Sequence, residues 1–199
     1  MNEFMLMLVI LNPFSQLLYL QDLINGLPPK EFVPVHLKAS LISLSIFILF
    51  SLVGENYIMR YVFQIRLASL QIFGGIIMLF IAFQYIINGP GSNLLYKGNI
   101  SELAPNISLP YMVGPGTIWI SILIGKKFDF SKSLLIISAV IALNFILVVA
   151  YQQVQYRLHS SRNTVIGKYL AIFMRTNALF IGAIAVEMLI SGIENVINT

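Results

Sequence analysis

The chain is 199 residues long, 58% hydrophobic and only 10% charged, with a formal net charge of +4 and a mean hydropathy of +0.85. Soluble domains carry about 25% charged residues, so an ordinary water-soluble fold is excluded. The lack of cysteine removes disulfides, thiolate metal ligands and thiol redox chemistry, and the twelve Lys and Arg residues are scattered through loops instead of forming the single basic patch that nucleic acid requires.

The charges fall in clusters and leave uncharged runs at 4–21, 39–54, 67–96, 103–125 and 133–156. A membrane helix needs about 17 to 25 mostly apolar residues, so five spans follow. The first predicted helix, 4–24, sits behind acidic Glu3 and has no small-residue cleavage site after Asp22, which speaks against a removable signal peptide. Its middle is interrupted by Asn12-Pro13-Phe14-Ser15. Asn25 to Pro29, with its Gly-Leu-Pro-Pro, predicts a turn, and the second and third helices are expected at 36–55 and 66–87. A Gly/Asn/Ser-rich stretch at 89–105 reads as a linker. The fourth helix, 106–125, is interrupted by Gly114-Pro115-Gly116-Thr117. A fifth is expected at 132–155 and a sixth at 169–193, the latter carrying Glu187 inside an otherwise apolar run.

A shift of 102 residues lays the first broken tetrad over the second and span 2 over span 5. A slightly larger shift lays Arg66-Leu67-Ala68-Ser69-Leu70 over Arg175-Thr176-Asn177-Ala178-Leu179. The expectation is a single all-α integral membrane domain, 1–199, with six transmembrane helices. It would consist of two three-helix repeats, 1–88 and 106–199, joined by the linker, with helices 1 and 4 broken. An odd number of crossings makes the second repeat inverted. The distribution of Lys and Arg among the loops favours both termini outside.

Backbone leaves the helical ladder at membrane depth only where protein or a water-filled cavity meets it. In span 1, Asn12 is expected as an N-cap and Pro13 as the first residue of a half-helix, leaving the N–H groups of Phe14, Ser15 and Gln16 without intrahelical partners. In span 4, Pro115 takes the same position, Gly114 and Gly116 permit close approach, and Thr117, like Ser15, adds a hydroxyl. Two such N-termini meeting near the midplane suit the carboxylate of a small solute. The competing reading is a pair of proline kinks that only shape packing. Glu187 is the candidate for H+ or Na+ coupling, against the plainer reading that it reaches interfacial water. Asn144 and Gln71 are candidates for lining a path, although amides also join membrane helices by hydrogen bonds, the reading preferred for Gln84 and Asn177. Gly74-Gly75 reads as a close-packing surface. His36 and His159 are expected at span borders with no second histidine at metal-ligand spacing. Neither G-x-S-x-G nor H-E-x-x-H occurs, so no metal, cofactor or enzymatic activity is expected.

Asn12-Pro13, Phe73-Gly74-Gly75-Ile76-Ile77, and Ala104-Pro105 leading through Leu109-Pro110 to Gly114-Pro115-Gly116 resemble the MarC family of integral membrane proteins over essentially the whole chain. The resemblance implies a six-span inner-membrane protein, related to the lysine-exporter superfamily of inverted three-helix repeats, and a transporter of small neutral amino acids. Where that family usually has Asp or Asn, Pro, a variable residue, Gly, Asn and a second Pro, this chain has Asn12-Pro13-Phe14-Ser15-Gln16-Leu17. Ser15 for Gly and the lost second Pro bear on the width of the site and its substrate. The expected partners are the lipid bilayer and a small solute, with alternating access by rocking of the two halves. The rival functions are a non-transporting membrane scaffold or chaperone and a passive channel.

Overall fold

The computed structural model describes residues 3–88, 103–159 and 164–197. Among them every regular element is helical. The first expected span is three short pieces, α1 (Glu3–Leu11), α2 (Pro13–Tyr19) and α3 (Gln21–Gly26), followed by α4 (Pro29–Val53). A π-helical segment, π1 (Gly54–Phe63), leads to α5 (Leu67–Asn88). The second half contains α6 (Leu103–Asn106), a second π-helical segment, π2 (Ile107–Met112), then α7 (Pro115–Lys127), α8 (Phe130–His159) and α9 (Thr164–Ile197). Most of the expected linker, 89–102, lies outside the described residues.

Among the described residues, four helical stretches are long and apolar enough to cross a membrane: Pro29–Val53, Leu67–Gln84, Phe130–Arg157 and Thr176–Ile197. Large apolar side chains such as Leu41, Leu52, Phe80, Phe83, Leu135 and Phe180 face outward from them. In water so much exposed apolar surface marks an interaction face, and here hydrocarbon is its natural solvent. The other two expected spans are the ones that carry the tetrads. At about 1.5 Å per residue, none of their pieces alone reaches across the roughly 30 Å hydrocarbon layer.

Two elements differ from the sequence expectation. The turn at Leu27-Pro28 is real, but α4 begins at once with Pro29 in its first position, seven residues earlier than expected. Proline fits there because its missing N–H would have had no intrahelical partner. His36 is consequently not a border residue. It is fully buried inside α4, with ring centroids 5.6 Å from both Phe32 and Phe145. The stretch after span 2 is also helical rather than loop, and it ends where Gln64 turns left-handed at φ 53°.

The halves interlock. α5 packs along α9 and α4 along α8, while α1 meets α7; α4 also packs on α7, as α1 and α2 do on α8, and α5 packs on α7, as α2 does on α9. The seam between α4 and span 4 is especially close. A Cβ on Gly125 would lie 1.8 Å from the Ser51 carbonyl oxygen, so only glycine lets the two backbones touch. Further along, the Ser43 and Ser108 hydroxyls are hydrogen-bonded at 2.8 Å. Met7, Ile10, Leu11, Leu20, Phe32, Phe47, Met112, Ile120 and Ile124 fill the core around these contacts.

Candidate functional site

The first break is a one-residue pivot. The Asn12 N–H still donates to the Leu8 carbonyl at 2.9 Å, closing α1, while its own carbonyl accepts from Gln16 N–H at 3.3 Å, opening α2. Asn12 manages both by adopting φ 44°, the left-handed region that asparagine tolerates better than most residues and that commonly ends helices. It is therefore not the extended N-cap expected from the sequence, and the Gln16 N–H is not left bare. Pro13 is buried, Phe14 is 45% exposed, and the Ser15 side chain lies outside the described residues.

Gln16 closes this break with its side chain. Its Nε2 donates to the Leu11 carbonyl at 3.2 Å, serving one of the acceptors orphaned at the end of α1. Its Oε1 accepts from Asn144 Nδ2 at 3.0 Å, tying α2 to α8 through two fully buried amides. Asn144 Oδ1 is buried and has no hydrogen-bond partner among the described residues.

The second break is built differently. Gly114 is extended (φ −123°, ψ 175°) and Pro115 starts α7, as the sequence predicts. Thr117 braces the turn: its Oγ1 accepts from Gly114 N–H at 2.8 Å and lies 2.9 Å from the Met112 carbonyl and 3.0 Å from that of Gly114, either of which its one proton can serve. Its hydroxyl is thus committed to the fold. The first regular bond of the helix is Ile118 N–H to the Gly114 carbonyl at 2.9 Å. The N–H groups of Gly116 and Thr117, both buried, have no hydrogen-bond partner among the described residues. They stand at the positive end of a 13-residue helix.

Gly74 of α5 faces these donors. A Cβ there would lie 2.7 Å from the Gly116 nitrogen and 3.0 Å from its Cα, so α5 meets the start of α7 backbone to backbone, with no room for a methyl group. Ile10, Met78 and Met188 surround Gly116; a Cβ on Gly116 would meet Met188 Cε at 3.1 Å, Ile10 Cγ2 at 3.3 Å and Met78 Sδ at 3.5 Å. Ile10 lies just ahead of the Asn12 pivot, which brings the two breaks side by side. The Gly-Gly doublet was visible in the sequence; its facing of α7 depends on a partner some forty residues away.

Glu187 is exposed, while its neighbour Met188 turns toward the second break. Gln71, 1% exposed, accepts from Asn195 Nδ2 at 3.4 Å and lines a cavity of about 450 Å³ with Trp119. Gln71 is one turn from Gly74, and Trp119 is one turn from Gly116. No group of three or more His, Cys, Asp or Glu residues that could hold a metal occurs among the described residues. Outside the membrane-spanning segments, a hydrogen bond from the Lys127 ammonium holds the Glu3 carboxyl below the usual carboxylate range.

The family model for "MarC family integral membrane protein" matches residues 1–197. A UPF0056 membrane protein of Methanocaldococcus jannaschii is 28% identical over 196 residues, covering 93% of this chain and 91% of that protein. Similar proteins of the same description occur in Pyrococcus horikoshii, at 23% identity with 99% and 94% covered, and in Aquifex aeolicus, at 25% identity with 99% and 93% covered. No solved structure matches.

Proposed function

The chain belongs to the MarC family of integral membrane proteins, and from that premise we propose that it is a secondary transporter of small neutral amino acids. The substrate carboxylate binds the bare N–H groups of Gly116 and Thr117 at the start of α7, once α5 draws back from its close backbone contact at Gly74. Fixed donors at a helix N-terminus accept an anion without an arginine, and in a low-dielectric interior that attraction is far stronger than in water. The unpartnered Asn144 Oδ1 is a further acceptor, suited to the substrate ammonium.

Six spans in two inverted repeats, with breaks in the first and fourth, form the framework of this reading. Its support is the packing pattern, in which pairs between the halves have counterparts under exchange of span 1 with 4, 2 with 5 and 3 with 6. An H+ or Na+ gradient drives the cycle, from a cell membrane with both termini outside. The observation that carries the proposal is the pair of buried, unpartnered donors on Gly116 and Thr117.

The test is uptake of labelled neutral amino acids by purified protein in liposomes, under imposed H+ or Na+ gradients, alongside thermal unfolding with the same amino acids. A ligand that binds only the folded state must stabilise it, by about 2.7 kcal/mol at a hundredfold excess over Kd. Gradient-driven uptake with ligand stabilisation is the expected result. A well-folded protein that no amino acid stabilises indicates a scaffold, and flux that no gradient drives uphill indicates a channel.

A further inference from the structure

We propose that the cavity between π1 and the ends of α5, α7 and α9 is a receptor for the phosphate of an anionic phospholipid headgroup, held by Arg60, Arg66 and Lys126. These three cations line the same cavity of about 450 Å³, whose wall includes the buried amide of Gln71, and none of its described lining residues is acidic. Neither Arg60 nor Arg66 has an ion-pair partner among the described residues. A planar guanidinium can offer two parallel N–H bonds to phosphate oxygens, so two arginines beside one hollow favour that group over a single point anion.

The depth of the cavity argues for lipid as the source. Arg60 sits on π1 between Tyr57 and Tyr61, which are 64% and 76% exposed, with ring centroids 6.2 Å apart. Lys126 belongs to the last turn of α7, and Arg66 immediately precedes α5. Exposed tyrosines beside cations at the ends of apolar helices mark the headgroup layer. A phosphate there replaces water around the arginines while its acyl chains lie against outward-facing apolar residues such as Val62, 68% exposed.

The full chain in detergent would be titrated with short-chain phosphatidylglycerol, matched phosphatidylcholine or inorganic phosphate, with the unfolding midpoint as the readout. Phosphatidylglycerol should raise the midpoint more than phosphatidylcholine. Each lining cation changed to glutamine should weaken apparent affinity for the anionic lipid by about fivefold. Lys132→Gln, which removes a charge paired with Asp129 and outside the cavity, should leave the lipid preference unchanged. Wild-type protein in about 1 M salt, where screening acts over roughly 3 Å, should lose most of the preference even if the arginine variants fail to fold. Equal stabilisation by the two lipids, or a preference that survives both Arg60→Gln with Arg66→Gln and high salt, would overturn the proposal. A midpoint shift fully reproduced by inorganic phosphate would assign the cavity to a soluble anion instead. Because no amino acid is present, none of these outcomes depends on the transport reading.

Discussion

The two broken spans begin from similar sequence punctuation and arrive at opposite chemistries. At Asn12 the chain turns through one left-handed residue, and Gln16 supplies both an acceptor and a donor, binding the turn to Asn144 and Leu11. At Gly114 the chain is extended, Thr117 braces only the turn itself, and two N–H groups beyond it have no partner among the described residues. A proline in mid-span therefore does not define a binding site. What decides is whether nearby side chains satisfy the interrupted ladder.

That contrast is broken most severely by overpacking the close contact beside Gly116. Gly74→Ala would force backbone contact at 2.7 Å, and overpacking of this kind costs about 1–3 kcal/mol. Liposome uptake should fall at least about tenfold, because a lost hydrogen bond to a charged group is worth about 1.5–3 kcal/mol. Transport and ligand stabilisation that survive in a folded Gly74→Ala protein would remove the second break from the site.

The next largest effect is expected at the first break. Gln16→Leu or Asn144→Leu alone should cost about 1–3 kcal/mol, since each strands a buried amide partner, whereas the double variant should recover much of that loss. A double-mutant cycle by denaturation checks it, and strict additivity would deny the coupling. Thr117→Val should cost about 1–2 kcal/mol by releasing the Gly114 turn, with Thr117→Ser close to wild type. Asn12→Ala should lose about 1–2 kcal/mol more than Asn12→Gly, from left-handed strain; equal midpoints for these two variants would contradict the pivot.

The smallest effect concerns the N-terminal tie. Because the hydrogen bond from Lys127 lowers the Glu3 pKa in the folded protein, its contribution is complete above the ordinary carboxylate value and is lost as pH falls through the lowered one. Lys127→Gln should flatten that part of the acid side of the stability profile, and an unchanged profile would show that the tie is inert.

The long helices were legible because apolar runs of sufficient length have few other uses, and both breaks were legible because proline cannot continue a ladder. The hand of Asn12 was not. Asparagine before proline reads equally well as an extended cap, and the hydrogen bonds that Gln16 makes to Leu11 and to Asn144, the latter from a helix more than a hundred residues later, brace the left-handed turn. The burial of His36 was hidden for a simpler reason: α4 starts seven residues earlier than the border inferred from charge, which moves the ring inward between Phe32 and Phe145. The close contact of Gly74 with the start of α7 was invisible because the doublet looks the same whether it meets another helix side-on or faces a helix end.

Ser51 and Gly125 belong to different halves, yet their backbones meet too tightly to admit even a methyl group. A joint of that kind behaves as a weld. α4 and α7 therefore form one fixed post, and any rearrangement of the chain must pivot about that joint rather than through it.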